Sequence, residues 1–249
     1  MTISAPRILV ALSALFALAM VPFAGPQNVG AAEPEAIDFF DAVKDGKIDA
    51  KLILKNSKKG NLLVQNKGKQ PLKIRMPDGF AGKPVLAQFQ PGLGGGGLGG
   101  GVGGNQGVGG NIGGGGLGGG LFNVAPEQLK KLPVNAVCLE HGKKEPNPRI
   151  KYDVIPVSQW TDDVRVHELV RYLSSDKLNQ RVAQVAAWHL ASGMSFDELA
   201  AKTLKRANGN VQPYFSRAEI MAGVELVAVA TERAQQRPKT DKSVSSAAK

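Results

Sequence analysis

The sequence predicts an α+β protein in which an antiparallel β-sandwich-like layer is interrupted by a disordered glycine-rich insertion and followed by a C-terminal helical part. Three observations lead there. Residues 48–76 are short runs of alternating apolar and polar residues separated by polar turns, the pattern of strands with one buried face. From Thr161 onward the apolar residues recur at i, i+3, i+4 and i+7, the pattern of amphipathic helices. Between these regions, residues 91–120 hold about two-thirds of the chain's 31 glycines. That composition offers too little apolar surface to offset chain entropy.

The chain has 249 residues and a formal net charge of +10. A basic balance of this size favours solubility and weak contact with anionic polymers, and says nothing about fold. Arg7, the apolar run 8–24 and the small residues Gly30, Ala31 and Ala32 read together as a signal peptide over residues 1–32. The run is too short for a membrane span and ends in Pro22 and Gly25. A secreted, periplasmic or cell-surface protein is therefore expected. Its β-rich domain covers 33–90 and 121–156, the insertion 91–120, the helical part 157–236 and a disordered tail 237–249. No second apolar run reaches spanning length, so no transmembrane segment is expected in the mature chain.

Residues 34–43 read as a short helix opened by Pro34 and closed by Gly46. Strands are expected at 48–55, 61–66, 72–76 and 85–90, with a strong turn at Pro77-Asp78-Gly79. Lys51, Lys55, Lys67, Lys69, Lys73 and Arg75 take outward positions, as a solvated sheet face or as a patch for an anionic polymer. Order resumes at 121–124, residues 126–131 read as one helical turn, and 152–156 as a further short strand. Helices are expected at 161–174, capped by Thr161, and at 178–191, stopped by Gly193. Capping boxes of Ser195 with Glu198 and of Ser216 with Glu219 open two more, to about Ala207 and Gln235.

The candidate site joins two of these elements. Residues 134–140 read as a buried strand carrying Cys138, the only cysteine in the chain, which has no intramolecular disulfide partner. On the 178–191 helix, Leu178, Val182, Val185 and His189 form one largely apolar face, and Ala187, Trp188 and Ala191 make the opposite side apolar too. Gln184 is then an amide in a buried setting that must find partners. A core cysteine acting as a small hydrophobe, a glutamine bonding to backbone between sheet and helices, and a disulfide to another chain all remain open. His141 and His189 lie near the two halves in sequence. Each reads as a turn or core histidine, or as a general base beside the pair.

Ala183-Gln184-Val185-Ala186-Ala187-Trp188 resembles the Gln-x-Ala-apolar-Trp motif of bacterial thioester domains. Val137-Cys138-Leu139 is similar to the strand segment that carries the cysteine of those exported adhesin modules. The resemblance spans roughly residues 48–191 and implies a helical part beside a β-sandwich. It also implies an internal thioester, with Cys138 as the thiol and Gln184 as the acyl donor.

The expected function is an exported, non-catalytic binding or structural module of the cell envelope or extracellular space. The alternative is a thioester-type adhesin that bonds covalently to a partner amine or hydroxyl through Cys138 and Gln184. The expected partner is a protein or envelope polymer, with an anionic polymer at the lysine-bearing strands as a further option. The sequence holds no Gly-x-Ser-x-Gly, no paired-carboxylate motif and no ligand spacing among its three histidines and one cysteine. Its glycine-rich stretch lacks the lysine of a phosphate-binding loop. No catalytic residue, cofactor or metal is therefore expected.

Overall fold

The computed structural model describes residues 35–85, 105–112, 120–175 and 178–237. The expected signal peptide, most of the glycine-rich insertion and residues 238–249 of the expected tail lie outside the described residues. In chain order the first elements are β1 (Ile37–Asp38), α1 (Phe39–Lys44), β2 (Ile48–Leu54), β3 (Lys59–Asn66), β4 (Leu72–Arg75), β5 (Phe80–Pro84), β6 (Val108–Ile112), β7 (Leu121–Val124), β8 (Leu129–Cys138) and β9 (Tyr152–Ile155). The helical part follows as α2 (Val157–Trp160), α3 (Val164–Tyr172), α4 (Gln180–Ser192) and α5 (Phe196–Ala201), then β10 (Thr203–Lys205), β11 (Val211–Pro213) and α6 (Arg217–Gln236).

The α+β class holds, but the β layer is a closed barrel rather than a sandwich. Its strands run β2-β3-β8-β6-β5-β9, every pair is antiparallel, and β9 closes on β2 at Leu52 opposite Tyr152. The alternation on each strand turns one face inward. Leu52, Leu54, Leu62, Val64, Phe80, Val108, Val134, Ala136 and Tyr152 all enter one buried cluster. A single apolar interior serves the same residues that two facing sheets would. A separate three-stranded sheet, β1-β4-β7, continues that core through Ile74 and Val124. Asn66 ties the two together. Its Nδ2 donates to Gln70 O at 2.8 Å and Val124 O at 3.1 Å, and its Oδ1 accepts from Gly68 N.

The glycine-rich stretch supplies a barrel strand, which corrects the expectation of disorder at Val108–Ile112. All five residues of β6 are buried. A Cβ on Gly110 would come within 2.7 Å of the Phe80 ring, and one on Gly109 within 2.7 Å of Val170 in α3. Glycine here lets Phe80 fill the barrel on one side and α3 press against it on the other. The apolar surface that the segment lacks is provided by its neighbours. Asn111 of β6 faces Asn135 of β8 in register. Asn111 Nδ2 donates to Val170 O and Arg171 O at 3.2 Å and also to Asp78 O, while Asn135 Nδ2 donates to Leu173 O at 3.1 Å. The two asparagines thus add side-chain partners at the C-terminal end of α3, where Val170 O and Arg171 O also accept from Leu173 N and Ser174 N.

Other boundaries move for local reasons. The strand expected at 85–90 is instead β5 at Phe80–Pro84, and residues 86–90 lie outside the described residues. The helical turn expected at 126–131 is a turn followed by the start of β8, which runs through Pro133 opposite Asn61. Residues 37–38 pair in parallel with β4, so the first helix begins only at Phe39. Asp163 rather than Thr161 caps α3, its Oδ1 accepting from Arg165 N at 2.9 Å. Both expected capping boxes form, and Gly193 ends α4 with φ +70°. The third long helix ends early at Ala201, and a hairpin occupies the rest. Lys51 lies on the barrel beside Asp49, whereas Lys73 and Arg75 lie on β4, so the basic residues do not share one sheet.

Gly110→Ala is expected to lower stability by about 1–3 kcal/mol through overpacking against Phe80, read from urea unfolding. Unchanged stability would contradict this account of β6.

Candidate functional site

Cys138 is the last residue of β8, and its position follows from how that strand is paired. β3 covers one edge of β8 from Leu129 to Asn135 and stops there, because β3 begins at Lys59. β6 covers the other edge from Val134 to Cys138. Past Asn135 the first edge has no strand beside it. Helix α4 takes that place with its side chains. Gln180 Nε2 donates to Ala136 O at 3.2 Å. Gln184 Oε1 accepts from Cys138 N at 2.9 Å while its Nε2 donates to Cys138 O at 2.8 Å. Ser192 Oγ donates to Leu139 O at 3.0 Å and accepts from His141 N at 2.9 Å.

The spacing is set by geometry. Four residues of helix advance about 6 Å, and two residues of strand advance about 6.6 Å. Side chains four apart on α4 therefore meet successive outward-pointing peptides of β8. Gln184 copies a neighbouring strand, with one donor and one acceptor to a single residue. Both members of the pair are sealed from water, with Cys138 1% and Gln184 4% exposed. An unpartnered peptide at this depth costs about 1–3 kcal/mol for each polar group, so the carboxamide is what permits β8 to extend beneath the helix.

The thiol itself enters a third apolar cluster with Val185, Trp188, Leu199 and Phe215. Burial, and secondarily the Glu145 carboxylate, pushes its pKa up to about 12. Tyr152 is likewise pushed up to about 12 by burial, then by Cys138 and Glu140, and its hydroxyl donates to Gln106 O at 3.2 Å. Both groups stay protonated at neutral pH.

The structure brings Cys138, Gln184, Trp188 and His141 together and leaves His189 apart. The His141 ring stands edge-on to Trp188 at 4.8 Å, and its Nε2 accepts from Lys202 Nζ at 2.8 Å. Burial, followed by the Lys202 charge, lowers the His141 pKa against the opposing effect of Glu198. His141 is thus a neutral acceptor already occupied by Lys202. His189 Nδ1 donates to Met194 O at 2.8 Å and its ring stacks on Phe196 at 4.2 Å, so it closes the end of α4. Lys202 also lies 5.4 Å from the Trp188 ring centre and 5.3 Å from that of Tyr214, and Arg181 lies over Tyr214 and Phe215. These cation–π contacts roof the thiol's cluster. Sequence reasoning missed Gln180, Ser192, Lys202 and Tyr214. The first two carried a readable signal, since with Gln184 they fall on one stripe of a helix whose sides are otherwise apolar.

Comparison with known proteins finds no matching family model, no matching curated relative and no matching solved structure. Among the described residues no three His, Cys, Asp or Glu side chains are grouped to hold a metal ion. No helix among them is long and apolar enough to cross a membrane.

In the free-thiol chain at pH 8, iodoacetamide is expected to modify native Cys138 on the order of a thousandfold more slowly than the unfolded chain, because the thiolate is the nucleophile. Comparable rates in the two states would contradict the sealed, protonated thiol.

Proposed function

We propose that this chain is an exported, non-catalytic binding or structural module of the cell envelope or extracellular space. One observation supports that reading above the others. The Gln184 carboxamide spends its donor and its acceptor on the Cys138 peptide, and the neighbouring thiol is buried and protonated. The pair is then a joint between the barrel and the helical part, and the chain meets partners through its outer surfaces.

A second reading has its own support. The two hydrogen bonds hold the Gln184 amide against the residue that carries the thiol. Attack of the Cys138 sulfur on the amide carbon would form an acyl–sulfur bond and break the carbon–nitrogen bond. Nε2 would leave as ammonia with the thiol proton. The product would keep an acyl oxygen to accept from Cys138 N but would lose the donor to Cys138 O. That lost bond, together with a thiol pKa of about 12, weighs against spontaneous closure.

One experiment separates the readings. The protein is incubated with isolated envelope material, washed in denaturant, and its intact mass is measured. Retention that denaturant reverses, with full sequence mass and an alkylatable Cys138, is the expected outcome. A mass lower by one ammonia, or an adduct at Gln184 that survives denaturant, would replace it with the thioester reading. No retention would contradict both.

A further inference from the structure

We propose that the outer face of β2, β3 and β8, with the cleft at its end, is a track for a linear anionic polymer, which gives the binding module proposed above its partner class and rests on that reading. Strand register assembles the face. Alternate residues of a strand share a side, and Lys51 of β2 lies opposite Leu63 of β3, which in turn lies opposite Lys131 of β8. Lys51 and Lys131 therefore flank Leu63, about 10 Å apart across two strand spacings. Four residues along β3 from Leu63, about 13 Å away, Lys59 takes the same side opposite Asn135. Lys55 and Lys58 border it in the β2–β3 turn, where Lys55 N donates to Lys59 O at 2.9 Å. All five lysines are exposed.

The face carries little opposing charge. Residues 48–66 and 129–138 hold six lysines and one acidic residue, Asp49. Asp49 bonds Lys51 at 3.0 Å, while Lys55, Lys58, Lys59 and Lys131 have no ion-pair partner among the described residues. On β9, beyond β2, Asp153 has Lys83 opposite it. At the end of the face a cleft of about 250 Å³ opens, lined by Lys58, Lys59, Asn135, Ser175 and Gln180 among others. Asn135 and Gln180 spend their amide donors on Leu173 O and Ala136 O, so Lys58, Lys59 and Ser175 are the donors left for an anionic group. The spacing of the lysines along the face exceeds what one small anion can bridge, and a chain of charges can meet them in turn. Ile53, Leu63 and Leu129 lie between lysines whose ammonium groups reach farther from the strands, so a bilayer would meet charge before it met apolar surface. Residues 48–66 and 129–138 hold no aromatic residue, and single-stranded nucleic acids use aromatic platforms for stacking. Lysine acts as a point charge rather than a bidentate fork, so affinity should follow charge density and salt.

The test is binding of fluorescein-labelled dextran sulfate to the full chain, followed by anisotropy over a series of salt concentrations. Binding that weakens as salt rises is expected. Lys51→Gln/Lys131→Gln should lower the slope of log affinity against log salt by about two, one for each lysine. Lys58→Gln/Lys59→Gln should do the same, both with unchanged circular dichroism. Lys205→Gln/Arg206→Gln removes the same charge from the β10–β11 hairpin and should leave the slope unchanged. Equal losses in all three variants would reduce the effect to net charge and overturn the proposal, as would no binding by the parent chain. So would binding to phosphatidylglycerol vesicles that the two face variants weaken while dextran sulfate binding stays unchanged, which would assign the face to a bilayer. Retention on envelope material without any binding of dextran sulfate overturns this proposal and leaves the wider binding reading standing.

Discussion

The structure depends on one substitution of partners, in which helix side chains stand in for a missing strand along the end of β8. Backbone N–H and C=O groups buried without partners are expensive, and a barrel strand that outruns its neighbour creates several of them. Gln180, Gln184 and Ser192 satisfy Ala136 O, both groups of Cys138, Leu139 O and His141 N. The consequence is mechanical as well as energetic. α4 cannot rotate or slide without losing several bonds together, so the orientation of the helical part is fixed by strand geometry.

Packing then builds outward from that joint. α4 buries Ala183, Ala186 and Ala187 against Val137, Leu139 and α3, and Val185 and Trp188 around Cys138. α6 approaches closely enough that a Cβ on Gly223 would lie 2.7 Å from Val185 Cβ. From the other side, Asn111 and Asn135 hold the end of α3 against the same barrel wall. The polar residues facing this wall are short and neutral, which suits them to bonding peptide groups without the desolvation cost of a charge. The charged side chains of Arg181 and Lys202 lie over the aromatic rings of Trp188, Tyr214 and Phe215.

Much of this was legible in the sequence where local chemistry dictates structure. The capping boxes at Ser195 and Ser216, the stop at Gly193 and the two-sided burial of α4 follow from residues close in the chain. The pairing of Cys138 with Gln184 was implied by the resemblance to thioester domains, and the two-sided burial of the helix told only that the Gln184 amide must find partners. Closure of the barrel was not legible, because alternation reports one buried face and is the same for a sandwich and a barrel. The strand at Val108–Ile112 was hidden by its glycines, whose role appears only once Phe80 and Val170 occupy the space beside them. Residues 203–207 were read as the end of a helix, since Thr203–Lys205 gains strand pairing only from Val211–Pro213 beyond a turn.

Amide hydrogen exchange at Cys138, compared in the parent chain and Gln184→Leu, tests the account most directly. The Cys138 amide of the parent is expected to exchange only with global unfolding. In the variant it should exchange through a local opening, orders of magnitude faster, while amides of β3 such as Leu62 keep their protection relative to the variant's own stability. Equal protection of Cys138 in both proteins would contradict the claim that the Gln184 carboxamide holds the end of the strand.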